Sequence, residues 1–425
     1  MGTSHLTNAK PHLYIHDTTL RDGEQAPGVF FRRDAKIAVA KQLSRLGVDI
    51  IEAGLVMSSE ETYECVTQIA KEVGPLMEGR EHIGRPATIA AFSRMIEADI
   101  QRTFDAIRHA PRHRLMVFTP VSDLHLREKL RISREECLIR VRRGIILAKT
   151  LCDDVWMGME DSGRADPDFL LQIVDICLDL NVQTLVVADT VGSHLPNEFG
   201  ALVRRLTDHA AGSSLIIGAH CHNDLGLSTA NALAAIQNGA RHVEVTVAGI
   251  GERAGNTALE QIVMAIESHP HAFPVSHSIN TALLTQTAQM VSRLGGFPIA
   301  PNTPLVGGNA FTHESGIHQD GILKNRDMYE FVHPEQVGAV CRLVLGKQSG
   351  RHALRLRLLQ LGYDEFNTNE LGVLFTKFKR MAEHKVFIED PDLIALVGRP
   401  PPLTSSDQDQ QDVPTEASSV ETVQA

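Results

Sequence analysis

Leu215-Ile216-Ile217-Gly218-Ala219-His220-Cys221-His222-Asn223-Asp224 is an apolar run that stops in two imidazoles, an amide and an acid. In an extended strand, side chains two residues apart share a face, so His220 and His222 point the same way and suit one cation between them. Cys221 then faces the other way. Taken alone, such a pair is equally what two hydrogen-bonded core histidines look like. The pattern around it decides the fold, because apolar run followed by polar cluster recurs along the chain. Short β-rich or apolar runs lie at 13–16, 49–53, 87–92, 115–119, 155–159, 184–188, 215–219 and 242–247. Each is followed by a stretch with apolar residues three and four apart, such as 34–46 or 167–180. Eight strand–helix units predict an α/β fold, a (β/α)8 barrel over residues 11–275. A doubly wound sheet has the same periodicity. Polar residues, however, gather where the runs end: 17–25, Glu52, Ser93-Arg94, Glu160-Asp161, Asp189-Thr190, 220–224 and 249–256. A barrel carries all those ends on one face and makes them one site.

Beyond residue 276 the alternation ends. A helix at 281–294, a Gly/Pro-rich linker at 295–308, a dense polar segment at 311–321 and helices at 351–361 and 368–382 predict a small, mainly helical C-terminal subdomain over 276–397. Residues 398–425, rich in Pro, Ser, Gln and acids, predict a disordered acidic tail. The 425 residues are 43% hydrophobic, enough for a large core. No run of about 18 apolar residues is present to span a bilayer, and no basic-then-apolar leader opens the sequence. The six cysteines are scattered without a Cys-x-x-Cys pair, which predicts a reducing cytoplasm. A net charge of −11 argues against nucleic acid and anionic membrane as partners. Five acids and no base follow Arg399, so the rest of the chain carries −6 of that charge.

Four motifs carry a resemblance. Asp17-Thr18-Thr19-Leu20-Arg21-Asp22-Gly23-Glu24-Gln25, His220-Cys221-His222-Asn223-Asp224-Leu225-Gly226, Gly249-Ile250-Gly251-Glu252-Arg253-Ala254-Gly255-Asn256 and His313-Glu314-Ser315-Gly316-Ile317-His318-Gln319-Asp320-Gly321 occur in the order found in the 2-isopropylmalate synthase and homocitrate synthase family, which the chain resembles from about residue 13 to 397. The resemblance implies a metal-dependent TIM barrel followed by a helical subdomain, and condensation of acetyl-CoA with a 2-oxo acid. It implies Asp22, His220, His222 and Asn256 as ligands of a divalent ion, with Mn, Zn, Mg or Co all suited to that donor set. It makes Arg21 the group that stabilises the alkoxide formed on carbon attack, and His318 the base that takes a proton from the acetyl methyl. Glu160 would orient that histidine, Tyr329 would serve the hydrolysis step, and Thr190 would bind the 2-oxo acid carboxylate. It further implies a homodimer, in which His318 of one protomer serves the other's barrel.

Which 2-oxo acid is used is a separate question, because the chain departs from its relatives. Met116 stands where leucine-pathway members carry a histidine, and Thr119-Pro120-Val121-Ser122-Asp123 is similar to homocitrate synthases. Glu160-Asp161-Ser162-Gly163-Arg164 leans to isopropylmalate synthases, and the second-strand loop Leu55-Val56-Met57-Ser58-Ser59 fits neither. These departures predict a homocitrate synthase-like preference for an anionic 2-oxo acid, with Arg94 and His125 as the cationic partners of its distal group. Alternatives are an isopropylmalate synthase without the leucine-sensing domain, hence insensitive to leucine, and a phosphinomethylmalate or phosphonomethylmalate synthase of specialised metabolism. From other classes come a metal-dependent lyase or aldolase, which has no need of the 313–321 motif, and a non-catalytic barrel subunit, in which one of the motif residues should be lost.

Overall fold

The eight apolar runs become eight parallel strands: β1 (Tyr14–Asp17), β2 (Ile50–Glu52), β3 (Thr88–Arg94), β4 (His113–Pro120), β5 (Val155–Glu160), β6 (Thr184–Asp189), β7 (Ile216–Cys221) and β8 (His242–Val245). They hydrogen-bond in chain order and close into a barrel. This computed structural model describes residues 10–364 and 366–401. Closure pairs Tyr14 with His242, His16 with Glu244 and Asp17 with Val245. Ile50, Ala90, Met116, Trp156 and Val186 form one buried cluster, with Tyr14, Phe92 and Phe118 packed against it. These positions alternate along their strands, which is the period-two signature of an inward face. Burying each large side chain contributes roughly 1.5–3 kcal/mol.

The helices begin and end where local chemistry dictates. Arg33–Leu46 stops at Gly47, whose φ of 101° lets its N–H reach the carbonyls of Leu43 and Ser44. Glu60–Glu72 starts at Ser59, whose Oγ accepts from Thr62 N at 3.0 Å. Pro167–Asp179 has Asp166 as its cap and proline in its first turn.

Two compact units emerge. The first runs through the described residues to Ala310 and takes in Glu335–Ala339; the second comprises Phe311–Pro334 and the described residues from Val340 onward. Residues 276–310 therefore go with the barrel and not with the helical unit. The cause is local: the helix Leu284–Gly295 lies on the first barrel helix, with Gln42 Nε2 donating to Thr287 Oγ1 at 2.9 Å and Asn280 N donating to Leu46 O at 2.8 Å.

The second unit contains a two-stranded parallel pair, β9 (Thr312–His313) with β10 (Arg342–Leu343), and helices Gly316–Lys324, Arg351–Gln360, Thr368–Ala382 and Asp390–Val397. Leu354, Leu358, Phe378 and Leu393 form its core. The polar 311–321 segment is thus a strand and a helix. The helix Asp390–Val397 was not anticipated, although Pro391 in its first turn and Gly398 after its last residue are start and stop signals. Most of the expected acidic tail, from residue 402, lies outside the described residues. Among the described residues, no helix is long and apolar enough to cross a membrane.

Gly47 tests the packing. A Cβ there would sit 2.2 Å from the Ser278 carbonyl oxygen, whereas at Gly28, also at positive φ, it would meet nothing within 4 Å. Both alanine variants carry backbone strain of about 1–3 kcal/mol. Gly47→Ala is expected to lower the urea midpoint clearly more than Gly28→Ala does; equal midpoints would show that the contact does not constrain the fold.

Candidate metal centre and active site

At the end of β1 the Asp17 carboxylate turns the chain, accepting from Thr19 N at 2.9 Å and Thr19 Oγ1 at 3.0 Å. Thr19 Oγ1 in turn accepts from Val247 N at 2.9 Å, tying the β1 loop to the β8 loop. Burial pushes the Asp17 carboxyl up to about 7, against the pull of the Thr19 hydrogen bonds. Beyond this turn, Arg21 lies between two acids: Nε donates to Glu52 Oε1 at 2.7 Å and Nη1 to Asp22 Oδ2 at 3.1 Å. Its Cζ stands 4.4 Å from the centre of the Phe92 ring, and Thr18 Oγ1 donates to the other Glu52 oxygen at 2.5 Å. Burial works against the Arg21 charge, but Glu52 and then Asp22 outweigh it and raise its pKa. Burial likewise opposes ionisation of Asp22, yet Arg21, His220 and His222 hold its carboxyl down at about 2.

From β7, His220 and His222 bring their Nε2 atoms within 3.1 Å of each other, and Asp22 Oδ2 lies 3.4 Å from the first and 3.7 Å from the second. His220 Nδ1 is 2.8 Å from Glu244 Oε2. Burial opposes the Glu244 charge, but hydrogen bonds from His220 and His242 drive its pKa well below the usual carboxylate range. A carboxylate only accepts, so the His220 proton is assigned to Nδ1 and the Nε2 lone pair is turned toward His222 and Asp22. For His222, burial and then the neighbouring His220 lower the imidazole to about 4, so it is neutral at pH 7. For His220, burial opposes the charged form but Glu244 and then Asp22 outweigh it and raise the pKa, so a cation at Nε2 would bind in competition with a proton.

Asn256 arrives from the β8 loop. Gly255 adopts φ of 95°, Asn256 N donates to Gly249 O at 3.0 Å, and Asn223 N donates to Gly255 O at 2.9 Å. A Cβ at Gly251 would lie 2.3 Å from Asn256 Nδ2, so a glycine there leaves room for the amide. Asp22 Oδ1, His222 Nδ1 and Asn256 Oδ1 are buried without a hydrogen-bond partner. Leaving such atoms unpaired costs about 1–3 kcal/mol each. A cation would engage the Asp22 and Asn256 oxygens and offset their share of that cost, while His222 faces the cluster through Nε2; one carboxylate, two imidazoles and an amide fit a divalent ion. The ligand atoms of Asp22, His220 and His222 all lie within 4.8 Å of one another.

The other expected site residues fall into three groups. Thr190 and Glu160 line the same cavity as Arg21, Asp22, His220 and His222. Thr190 Oγ1 accepts from Asp161 N at 2.8 Å, and Glu160 is paired with Lys129 at 2.7 Å and with His125 at 3.4 Å. Arg94 also reaches the cavity, but its Nε pairs with Asp99 at 2.5 Å and its side chain is 57% exposed. His125 sits between Glu160 and Asp161, and Met116 is wholly buried in the barrel cluster. His318 and Tyr329 belong to the second unit, where their rings lie 4.4 Å apart, and Gly321 makes room for the tyrosine, since a Cβ there would be 2.3 Å from its ring.

Sequence reasoning placed Glu52 among the strand-end polar residues without giving it a role and missed Glu244; these acids hold Arg21 and His220. Each lies on an inward strand position two residues from another inward side chain, Ile50 and His242, so the period-two rule marks them. It singled out the second-strand loop, whose Leu55 and Met57 do line the cavity, but missed Phe92, Phe118 and Trp156 in the wall.

Comparison with known proteins shows the chain's family and fold. The HMGL-like family matches residues 12–291, and the homocitrate synthase post-HMGL domain-like family matches residues 305–386. The chain is 43% identical over 390 residues to 2-isopropylmalate synthase of Nitrosomonas eutropha, covering 91% of this chain and 74% of that protein. It is also 43% identical over 396 residues to the chloroplastic methylthioalkylmalate synthase 1-1 of Eutrema japonicum, covering 91% and 77%. HMG-CoA lyase of Bacillus subtilis shares the fold, with a TM-score of 0.57 at 20% identity over 69% of this chain and 97% of that one.

One divalent ion is expected to bind per barrel. His220→Ala should abolish binding, and Glu244→Gln, which keeps the shape but weakens the hold on Nδ1, should lower affinity by roughly 10–100-fold. Isothermal titration with Mn or Zn measures both; unchanged affinity in His220→Ala would mean that the ligands lie elsewhere.

Proposed function

The chain belongs to the HMGL-like family, and we propose that it joins the methyl carbon of acetyl-CoA to the ketone carbon of a 2-oxo acid, releasing CoA and a 2-substituted malate. It is an acyl-CoA:2-oxo acid acyltransferase of the alkylmalate synthase kind. The observation that carries this reading is the meeting of Arg21, Asp22, His220, His222 and Asn256 at the barrel mouth in a chain whose likeness to the synthases continues through the second unit. A lyase on the same barrel leaves that continuation unexplained, and a silent subunit leaves the intact cluster unexplained.

Asp22, His220, His222 and Asn256 would hold a divalent ion, which would supply Lewis acidity toward a bound 2-oxo acid. Arg21, buried and fixed by Glu52, keeps its charge beside Asp22 and has N–H groups to offer a developing alkoxide. Thr190 Oγ1 already accepts from Asp161 N, so its own hydrogen is free to donate to the 2-oxo acid carboxylate. Arg253 braces that corner through Thr190 O at 2.8 Å and Asp224 at 2.7 Å. His318 is assigned the removal of a methyl proton, Glu160 its orientation, and Tyr329 the hydrolysis of the thioester. The resemblance supports a cytoplasmic homodimer, and six free cysteines fit that compartment.

Release of CoA from acetyl-CoA should require both a 2-oxo acid and a divalent ion, and chelation should abolish it. Arg21→Lys is expected to lower kcat by roughly 10²–10³-fold, the scale of a lost oxyanion donor. His318→Ala should lose turnover yet bind metal with unchanged stoichiometry. Wild-type rates in that variant would return the base to the barrel.

A further inference from the structure

Resting on the reading above, we propose that the 2-oxo acid carries an aryl side group, as in a 3-aryl-2-oxopropanoate, and that Phe118 and Trp156 select it. The cavity at the metal cluster has a volume of about 470 Å³ and two unlike halves. One half is the polar cluster with Arg21 and Thr190. The other is the inward face of β3 to β6, where Phe92, Phe118, Trp156, Gly158, Val186 and Ala188 line the wall.

Aromatic residues make up 5% of the chain, yet three of them meet here. Phe92 and Phe118 stack at 4.1 Å with an interplanar angle of 10°, and Trp156 meets Phe92 at 6.0 Å and 64°. Arg21 covers the Phe92 ring at 4.4 Å. The Trp156 ring crosses beside Gly158, where a Cβ would lie 2.2 Å from it, so that glycine lets the indole lie flat against the strand. Trp156 is buried, whereas Phe92 and Phe118 are only half-buried and leave apolar surface facing the cavity. With Phe118 on one face and Arg21 over the ring, Phe92 offers its edge, and with the half-buried Phe118 ring it suits another ring better than a branched or charged group, through edge-to-face contact and offset stacking.

The charges around the cavity point the same way. Arg21 is held by Glu52 and Asp22, Arg94 by Asp99, and Arg253 by Asp224. A distal carboxylate or phosphonate would meet guanidinium charges already compensated by carboxylates, and the apolar wall would add a desolvation cost. The side group therefore departs from the anionic one that Met116 and the 119–123 loop suggested. Met116 lies under the wall, where it fills the barrel cluster and not the cavity. The overall reaction balances as acetyl-CoA, the 2-oxo acid and water giving the substituted malate, CoA thiol and a proton. One carbon–carbon bond forms from the acetyl methyl to the ketone carbon, and water cleaves the carbon–sulfur bond.

The test measures kcat/KM by CoA release from the metal-replete full chain with phenylpyruvate, 2-oxoisovalerate, 4-methylthio-2-oxobutanoate, 2-oxoglutarate and phosphonopyruvate. Phenylpyruvate is expected to lead by roughly tenfold or more, the scale of pocket discrimination between apolar groups. Leadership by any other acid overturns the inference while leaving the condensation intact; no CoA release with any acid overturns the condensation itself. Phe118→Leu keeps an apolar side chain and should lower kcat/KM for phenylpyruvate several-fold more than for 2-oxoisovalerate; equal losses would remove Phe118 as a selector. Trp156 is the chain's one tryptophan. Its emission should change saturably with phenylpyruvate, after inner-filter correction against free tryptophan amide, and not with 2-oxoglutarate; the reverse pattern would contradict the aryl pocket without any reliance on turnover.

Discussion

Closure of β1 against β8 is the constraint on which the site depends. The pairing of Asp17 with Val245 brings the first polar loop of the chain beside the last, and Thr19 then holds Val247 by a hydrogen bond across that seam. Only because of this seam does Asp22, near one end of the sequence, come within 3.7 Å of imidazoles two hundred residues away. An open sheet made of the same strands would leave the first and last loops apart and provide no ligand set.

Charge inside the barrel follows from that closure. Arg21 and Glu52 form a buried ion pair, and breaking such a pair by removing one partner typically costs about 3–5 kcal/mol because the other charge is stranded. Deeper in, His16, His242 and Glu244 form a second polar group, with His16 Nδ1 3.2 Å from His242 Nε2 and 3.6 Å from Glu244 Oε1. Burial holds both imidazoles below their ordinary pKa, so they are neutral partners of an ionised Glu244. Glu244 joins this group to the metal cluster through His220. The chain thus spends fold stability on fixing one imidazole tautomer.

Much of the fold was legible in sequence, because strands buried on both faces read as apolar runs and each ends in a polar cluster. The eight runs match the eight strands within a few residues, and the helix expected at 368–382 spans Thr368–Ala382. The division between units was less legible: residues 276–310 lack strand periodicity, and their attachment depends on tertiary bonds such as Gln42 to Thr287. In the site, the motif residues of the barrel converge, while Arg94 and His125 are already paired with acids. Those pairings could not be read from spacing, since Asp99 looks like a surface acid in a linear sequence and Glu160 is 35 residues from His125 along the chain but 3.4 Å from it in the fold. The aromatic wall escaped notice for a similar reason, as Phe92, Phe118 and Trp156 come from three separate strands.

The most direct measurement of the central claim follows the carbon. Acetyl-CoA labelled with ¹³C in the methyl group, incubated with the metal-replete protein and a 2-oxo acid, should give a product whose labelled carbon is a methylene attached to a quaternary carbinol carbon by NMR. Label recovered only as acetate, or left in acetyl-CoA with every 2-oxo acid tried, would contradict the account.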